Sequence, residues 1–487
     1  MLVSNQKKRK MKKIVYKILF TVLIIGGFTS CDKELEQIPY DQFASENAFV
    51  TASDFENGIR GAYSALTRAG YYGSSDAGSM LSLPDVISDN VTLAQRGRRT
   101  KRYLHEFEYF PTATVRGFYG DAYTVIYRAN NLLFYIEDFE GENRANIEAE
   151  ARALRAMAHF DLVSVYGKIP TQSGDANGSL GVAYVTEPDP LVEPARVSVG
   201  EVYENIINDL TFAAANINAN NDPGRLNKDA VNTLLSRAYL YMGQWQNAIN
   251  AANNVSTAIA PRESVVGIWD DTNQDGLLFY IPNEATVLNL NIGVTWSQGN
   301  VTTLIPEYVA SYELFQLYND EDIRKEGYIL PAANNASNME FNAIRKLFGR
   351  PGQFNGQVDI KILRAEEAIL NKAEAQYELG QTGQALTTLN QLRDNRYTSY
   401  TGGETGTALR DAIRLERRLE FAFEYKRFFD LKRWGLPIQR ENFGDLADGT
   451  GTPSENLNLP ASSFRFQLPF ANGSLDLNPN LVQNPGY

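Results

Sequence analysis

The stretch AIRLERRLEFAFEYKRFFDLKRW, residues 412–434, is the one around which the rest of the chain is organised. From Arg414 to Arg433 eleven residues are charged and nine are apolar, with no Gly, Pro, Ser or Asn among them. That composition forms helix throughout. Leu415, Leu419, Ala422 and Phe429 recur at helical spacing, and Phe421, Phe423, Tyr425 and Phe428 widen the apolar surface beyond one stripe. Such a helix must be covered on more than one side. Its charges fall at i,i+3: Arg417 with Glu420, Glu424 with Arg427, Asp430 with Arg433. Gly435 and Pro437 stop it. The expectation is a buried central helix whose ion pairs hold neighbouring loops, in preference to a catalytic carboxylate cluster.

Outward from this stretch, 487 residues with 43% hydrophobic content allow a sizeable core in one large domain or two to three smaller ones. Residues 1–30 carry seven basic residues and no acidic one, and the short apolar run 18–28 ends in Thr29-Ser30 just before Cys31. This is the layout of an export signal, too short for a membrane span. Met11 is an alternative start. Cys31 is the only cysteine, which excludes an intramolecular disulfide. Its position resembles the lipid-modified first residue of bacterial lipoproteins, an anchor that holds a protein to a membrane without spanning it. Loss of residues 1–30 takes the formal charge from −12 to −19, which argues against a nucleic-acid partner.

Helices are expected over 53–66, 118–136, 146–166, 198–216 and 227–242, with loop over 90–110. The segments RAYLYMGQWQNAINAAN (237–253) and EAQYELGQTGQALTTLN (374–390) share Ala238/Gly243/Ala248 and Ala375/Gly380/Ala385. Small residues at these offsets let two antiparallel helices close around a tight turn, the logic of tetratricopeptide pairs. Between them the pattern over about 262–311 becomes strand- and loop-like. The fold class expected is mainly α: a tetratricopeptide-like scaffold with long irregular loop and short-strand insertions. Residues 31–487 read as one domain, with an N-terminal part (32–220) and a C-terminal part (221–487).

With these pieces placed, the chain resembles the SusD/RagB family of surface lipoproteins in Bacteroidetes nutrient uptake. The blocks that carry the resemblance are AEARALRAMAHFDLVSVYGKIPT (149–171), ILRAEEAILNKAEAQYELG (362–380) with LNQLRDNR (389–396), RLERRLEFAFEYKRFFDLKRWG (414–435) and LNPNLVQNPGY (477–487). The resemblance implies a SusD-like helical fold, location at the outer-membrane surface, and partnership with a SusC-like TonB-dependent transporter. It also implies a glycan ligand, or for some members a peptide, and no enzymatic activity. These blocks are scaffold motifs and name no ligand contact.

Ligand contacts are argued from side-chain chemistry. A sugar face packs on an aromatic ring while its hydroxyls seek polar partners. Trp245 and Trp434 sit in helical motifs and are assigned to packing. Trp269 and Trp296, in the insertion among Asn and Asp, are the expected platforms, with Tyr71 and Tyr72 of AGYYGSSDAG as further candidates. QRGRRTKR (95–102) places five cations in eight residues of an acidic chain. Either this run is a solvated face, or Arg98 and Arg99 recognise an anionic glycan through their forked donors. Asp271, Asn273 and Asp275, followed by Gly276, fit the first half of a calcium loop, but Pro282 stands where the bidentate acid belongs. A hydrated turn or a structural calcium both suit the loop; no other cofactor is expected.

Catalysis finds little support. The one cysteine is assigned to the anchor, the two histidines are His105 and His159, and no serine-hydrolase, zinc-protease or phosphate-loop motif occurs. The 58 acids leave a glycosidase carboxylate pair open. A helical assembly module without a ligand is the other rival.

Overall fold

The computed structural model describes residues 48–73, 78–300, 303–334, 338–353 and 355–487. The expected export segment and the expected lipidation site, Cys31, lie outside the described residues. From Thr51 to Tyr487 the chain is one compact unit.

Its scaffold is a succession of antiparallel helices: α1 (Ala52–Ala65), α2 (Arg116–Phe134), α3 (Arg144–Tyr166), α4 (Val199–Asn216), α5 (Lys228–Tyr241) and α6 (Trp245–Asn253). Side chains cap several of them. Thr51 and Asp54 form a reciprocal capping box on α1, Ser198 accepts from Glu201 N on α4, and Asn227 accepts from Ala230 N on α5. The centre is α3, buried on every side from Ala153 to Tyr166. Its alanines let α2 and α4 approach closely on either flank.

Past the insertion come α7 (Ala365–Glu378) and α8 (Thr382–Arg393). The two matched segments are indeed helical hairpins. Gly243 and Gly380 turn them at φ of 70° and 74°, a left-handed conformation that favours glycine, and Ala238, Ala248, Ala375 and Ala385 are all buried. The hairpins are also partners in space, for α7 packs on both α5 and α6.

The irregular insertion expected over about 262–311 belongs to a wider set of short antiparallel ribbons that reaches beyond those bounds: β1 (Val91–Leu93) with β5 (Tyr308–Ala310), β2 (Leu277–Ile281) with β8 (Ile360–Arg364), β3 (Ser297–Asn300) with β4 (Thr303–Pro306), and β6 (Ile329–Asn334) with β7 (Glu340–Ile344). A fifth joins β9 (Ile438–Gln439) to β10 (Asn458–Leu459). β8 runs directly into α7, so its pairing with β2 ties off the insertion at its base. Residues 90–110, read as loop, hold β1 and a short helix at Arg102–His105.

The 412–434 stretch departs from its expected form. It is buried and central, but it is two helices, α9 (Gly406–Glu420) and α10 (Arg427–Arg433), around a turn in which Phe423 and Tyr425 take φ of 64° and 53°. Left-handed backbone at bulky residues is unfavourable by about 1–2 kcal/mol each. The buried Asp85 carboxylate offsets this by accepting from Phe423 N (3.1 Å) and Tyr425 N (2.8 Å). A straight helix could not deliver its rings to three separate places. The turn leaves Phe421 in the core of α7, α8 and α9, sends Phe423 to Trp296 and sends Tyr425 to Tyr72.

The expected local ion pairing is mostly replaced by long-range pairing. Only Asp430 with Arg433 (2.9 Å) keeps its i,i+3 form. Arg417 reaches Asp430, Arg427 reaches Asp89, and Glu420 accepts from Arg396, Arg364 and Arg324. Buried charges need partners, and these sites take most of theirs from distant segments, while Arg417 Nη2 makes no hydrogen bond among the described residues.

One such pair gives a pH prediction. Glu374 is buried, which alone would raise its pKa, yet the paired Arg433 guanidinium (2.5 and 2.6 Å) and the Trp434 indole N–H pull it from 4.5 down to about 2. A carboxyl with a depressed folded pKa stabilises above its unfolded value and loses that contribution as pH falls through the folded one. The contribution should therefore fade between pH 4.5 and about 2, at about 1.4 kcal/mol per pH unit. Urea unfolding at stepped pH should show the wild-type advantage over Glu374→Gln shrinking across that window; a constant gap would contradict it.

Candidate ligand-binding site

The four aromatic candidates belong to the core, which corrects the expectation for each. Trp269 is 4% exposed; Lys346 Nζ lies 4.4 Å from its ring centre and Tyr328 meets it edge-on at 5.8 Å. Trp296 is 1% exposed, packed on Tyr308 and Phe423. Tyr71 and Tyr72 stack on one another at 4.4 Å, and both hydroxyls donate to Asp161 at 2.8 Å. The physical reason is common to all four. Short ribbons and loops cannot build a core from small side chains, so the largest rings fill it. Trp269 still forms part of the wall of a 140 Å³ recess with Asp270, Arg345 and Arg350.

The cationic loop is at the surface and is organised. Arg98 Nε donates to Glu307 Oε1 (2.6 Å), Thr100 N donates to Glu307 Oε2 (3.2 Å), and Tyr308 OH donates to Thr100 O (2.8 Å). Gly97 lies against the backbone of Pro306 and Glu307, where an added Cβ would collide. The buried Glu307 thus fixes the loop onto β4 and β5 while the Arg98 side chain stays 56% exposed. Arg99 adopts φ of 57° beside it, and Arg102 pairs with Glu455 and Glu108. Arg98 and Arg99 therefore stand side by side on one ledge, with Arg98 in an ion pair with Glu307.

The Asp271–Gly276 loop turns as its glycine suggests, with Gly276 at φ of 73°. Its oxygens do not converge. Asp271 faces Lys361 and Arg350, Asn273 bridges Ser264 O and Asp275 N, and Asp275 accepts from Ser264. A carboxylate already neutralised by two cations is a poor calcium ligand. Among the described residues no group of three or more His, Cys, Asp or Glu is placed to hold a metal ion.

Both histidines are internal struts. His105 bridges Val86 O and Ser454 Oγ at 2.8 Å each. His159 stacks on Tyr184, with its ring nitrogens at Arg155 O and Val185 N, and burial pushes its pKa down to about 3.

Two larger clefts are lined by none of these candidate residues. One, of 540 Å³, is lined by Tyr119, Tyr123 and Tyr127 of α2 together with Pro190, Pro194 and Leu477. Its tyrosines fall at i, i+4 and i+8, a spacing the sequence does carry. The other, of 600 Å³, opens between the 167–180 loop and the 461–485 segment.

A family model described as "SusD family" matches residues 330–487, and one described as "Starch-binding associating with outer membrane" matches residues 42–240. SusD-like protein P2 of Formosa agariphila is 26% identical, over 98% of this chain and 100% of the relative. A SusD superfamily protein structure from Bacteroides thetaiotaomicron is 26% identical, with a TM-score of 0.79 over 90% of this chain and 100% of that one. A SusD-like carbohydrate binding protein from Bacteroides vulgatus is 22% identical, with a TM-score of 0.74 over 89% and 98% of the two chains. The two family matches lie on either side of the 262–311 segment and take in α1 to α5 before it and β7 to α10 after it, so the chain belongs to the SusD/RagB family.

Proposed function

We propose that this protein is a lipid-anchored surface protein that binds an extracellular glycan and hands it to a SusC-like TonB-dependent transporter of the outer membrane. The observation that carries the reading is the match of residues 42–240 to a family described as starch-binding and associating with the outer membrane. A neighbour of the same fold that is described as carbohydrate binding supports it. The molecule's open clefts suit a ligand held by many modest contacts, so affinity at any one site is expected to be weak. Cys31, after the export segment, supplies the anchor; its replacement by serine should release the protein from the membrane fraction.

The fixed, exposed Arg98 favours a particular ligand class. Guanidinium forks match carboxylate and sulfate, so the ledge at 95–102 suits a uronic-acid or sulfated glycan. Affinity electrophoresis of the chain from Asp32 against neutral and anionic polysaccharides tests both levels. Arg98→Ala and Arg99→Ala should each weaken retention by an anionic polymer by roughly tenfold, the equivalent of about 1.4 kcal/mol, and added salt should do the same. Unchanged retention in salt and in both variants would remove the anionic reading. No retardation by any polymer would remove the glycan reading and favour a peptide ligand or an assembly module. Copurification of the full-length protein with an outer-membrane channel from solubilised membranes tests the transporter partnership.

A further inference from the structure

We infer that the 600 Å³ cleft between the 167–180 loop and the 461–485 segment is a separate saccharide site that takes an uncharged oligosaccharide. This rests on the glycan-binding reading above and assigns that chemistry to a second place. The volume falls in the range of small-ligand clefts.

The cleft is built and held. Asn484, at its floor, donates to Tyr166 O (2.8 Å) and Leu468 O (2.7 Å) and accepts from Arg196 (2.8 Å). Gln467 Nε2 donates to Gln172 Oε1 (3.3 Å) and so ties one wall to the other. Gln467 Oε1, Gln172 Nε2 and the Ser462 hydroxyl make no hydrogen bond among the described residues, although all three side chains line the cleft. They are the donor and acceptor set that sugar hydroxyls need.

An aromatic ring stands at the wall. Phe464 is 39% exposed and lies on the backbone of Gly486, where φ is 96° and an added Cβ would come within 2.5–2.8 Å of the ring. Tyr487 braces it edge-on at 4.9 Å and donates to Gln467 O at 3.0 Å. A ring packed against backbone and partly open to solvent is the platform that the four buried aromatics do not provide. Leu180, also exposed, extends the apolar surface.

Charge sets the ligand class. Among the described residues Lys168 is the one ionic side chain in the lining, and both oxygens of Asp175 accept from it at 2.8 and 2.7 Å; Arg465, over the Phe464 ring at 5.3 Å, is outside the lining and donates to Tyr109 O at 3.1 Å. The cleft therefore offers amides, hydroxyls and a ring with no free charge, the opposite of the arginine ledge.

The test is isothermal titration of the chain from Asp32 with maltohexaose, laminarihexaose, cellohexaose and xylohexaose at low and high salt. Phe464→Ala removes the platform. Ser462→Trp fills the cleft from an exposed position without disturbing the ring's packing, so it stands even where Phe464→Ala unfolds. The exposed Arg410→Ala is the control. The expected result is binding of at least one neutral oligosaccharide, unchanged by salt and in the control, and at least roughly tenfold weaker in both cleft variants. Neutral binding that survives in folded Ser462→Trp would overturn the inference. So would wild-type binding to anionic polysaccharide alone, which leaves the glycan reading standing. Binding to no saccharide of either kind would instead bring down the glycan reading itself.

Discussion

Glu420→Ala is expected to destabilise the protein by about 3–5 kcal/mol, the range for removing one partner from a buried ionic site. Glu420 accepts from Arg396 (2.8 and 3.0 Å), Arg364 (3.0 Å) and Arg324 (3.3 Å), all fully buried or nearly so. It belongs to a buried set in which Arg324, Arg364, Arg393, Arg396 and Lys346 face Asp322, Glu366, Glu416, Glu420 and Glu424, and the partly exposed Glu404 joins it at Arg393. Among the buried members the signs balance at five each, so the alanine leaves one cation out of water without its buried partner. Glu420→Gln keeps an acceptor and should fall between alanine and wild type. Urea unfolding followed by circular dichroism gives the numbers. A loss under about 1 kcal/mol for alanine would mean that water or rearranged neighbours replace the carboxylate.

Asp85→Ala should cost about 2–4 kcal/mol, from hydrogen bonds to a charged acceptor and the left-handed turn they hold. Asp85 is fully buried, accepts from Phe423 N, Tyr425 N and Asn90 Nδ2, and is what the α9–α10 turn closes upon. Burial outweighs those donors and raises its pKa from 3.8 to about 6. For a carboxyl the sign is then the reverse of Glu374: the folded state holds the proton more tightly, so this group's contribution falls as pH rises from 3.8 to about 6. Asp85→Asn should erase that slope and retain part of the turn's support. Loss of near-ultraviolet ellipticity from the Phe423–Trp296 and Tyr425–Tyr72 contacts would report the turn opening. An alanine variant as stable as wild type would place the turn's support elsewhere.

What was legible in the sequence was local. Gly243 and Gly380 mark their turns because a left-handed residue is a requirement of the turn itself, whatever surrounds it. The burial of the 412–434 stretch followed from its width of apolar surface. Its break did not, because the residue that stabilises Phe423 and Tyr425 is Asp85, at the far end of the chain. The i,i+3 pairing rule describes helices in water, and α9 is a helix whose acids are claimed by Arg324, Arg364 and Arg396 from other segments. The Asn and Asp neighbours of Trp269 suggested a wet loop, while its neighbours in space, Lys346, Tyr328 and Arg364, arrive from β7, β8 and their surroundings. Asp271 looked like a cation ligand until β8 set Lys361 against it. The ledge was readable because five cations in eight residues stay near each other in any fold; the polar cleft was not, because its two walls are nearly three hundred residues apart.

The last residues of the chain close a seam opened near its start. Leu468 N donates to Val165 O, Asn484 to Tyr166 O, Arg196 to Val482 O, and Lys432 to Ser164 O and Gly167 O. A chain made from one end cannot finish the surroundings of α3 until its other end has left the ribosome. Premature stops that remove the 468–484 contacts would then be as damaging as lesions in the middle, and a chain without them leaves α3 uncovered. Two fragments divided within the insertion should each be incomplete alone and should recover the native spectrum when mixed.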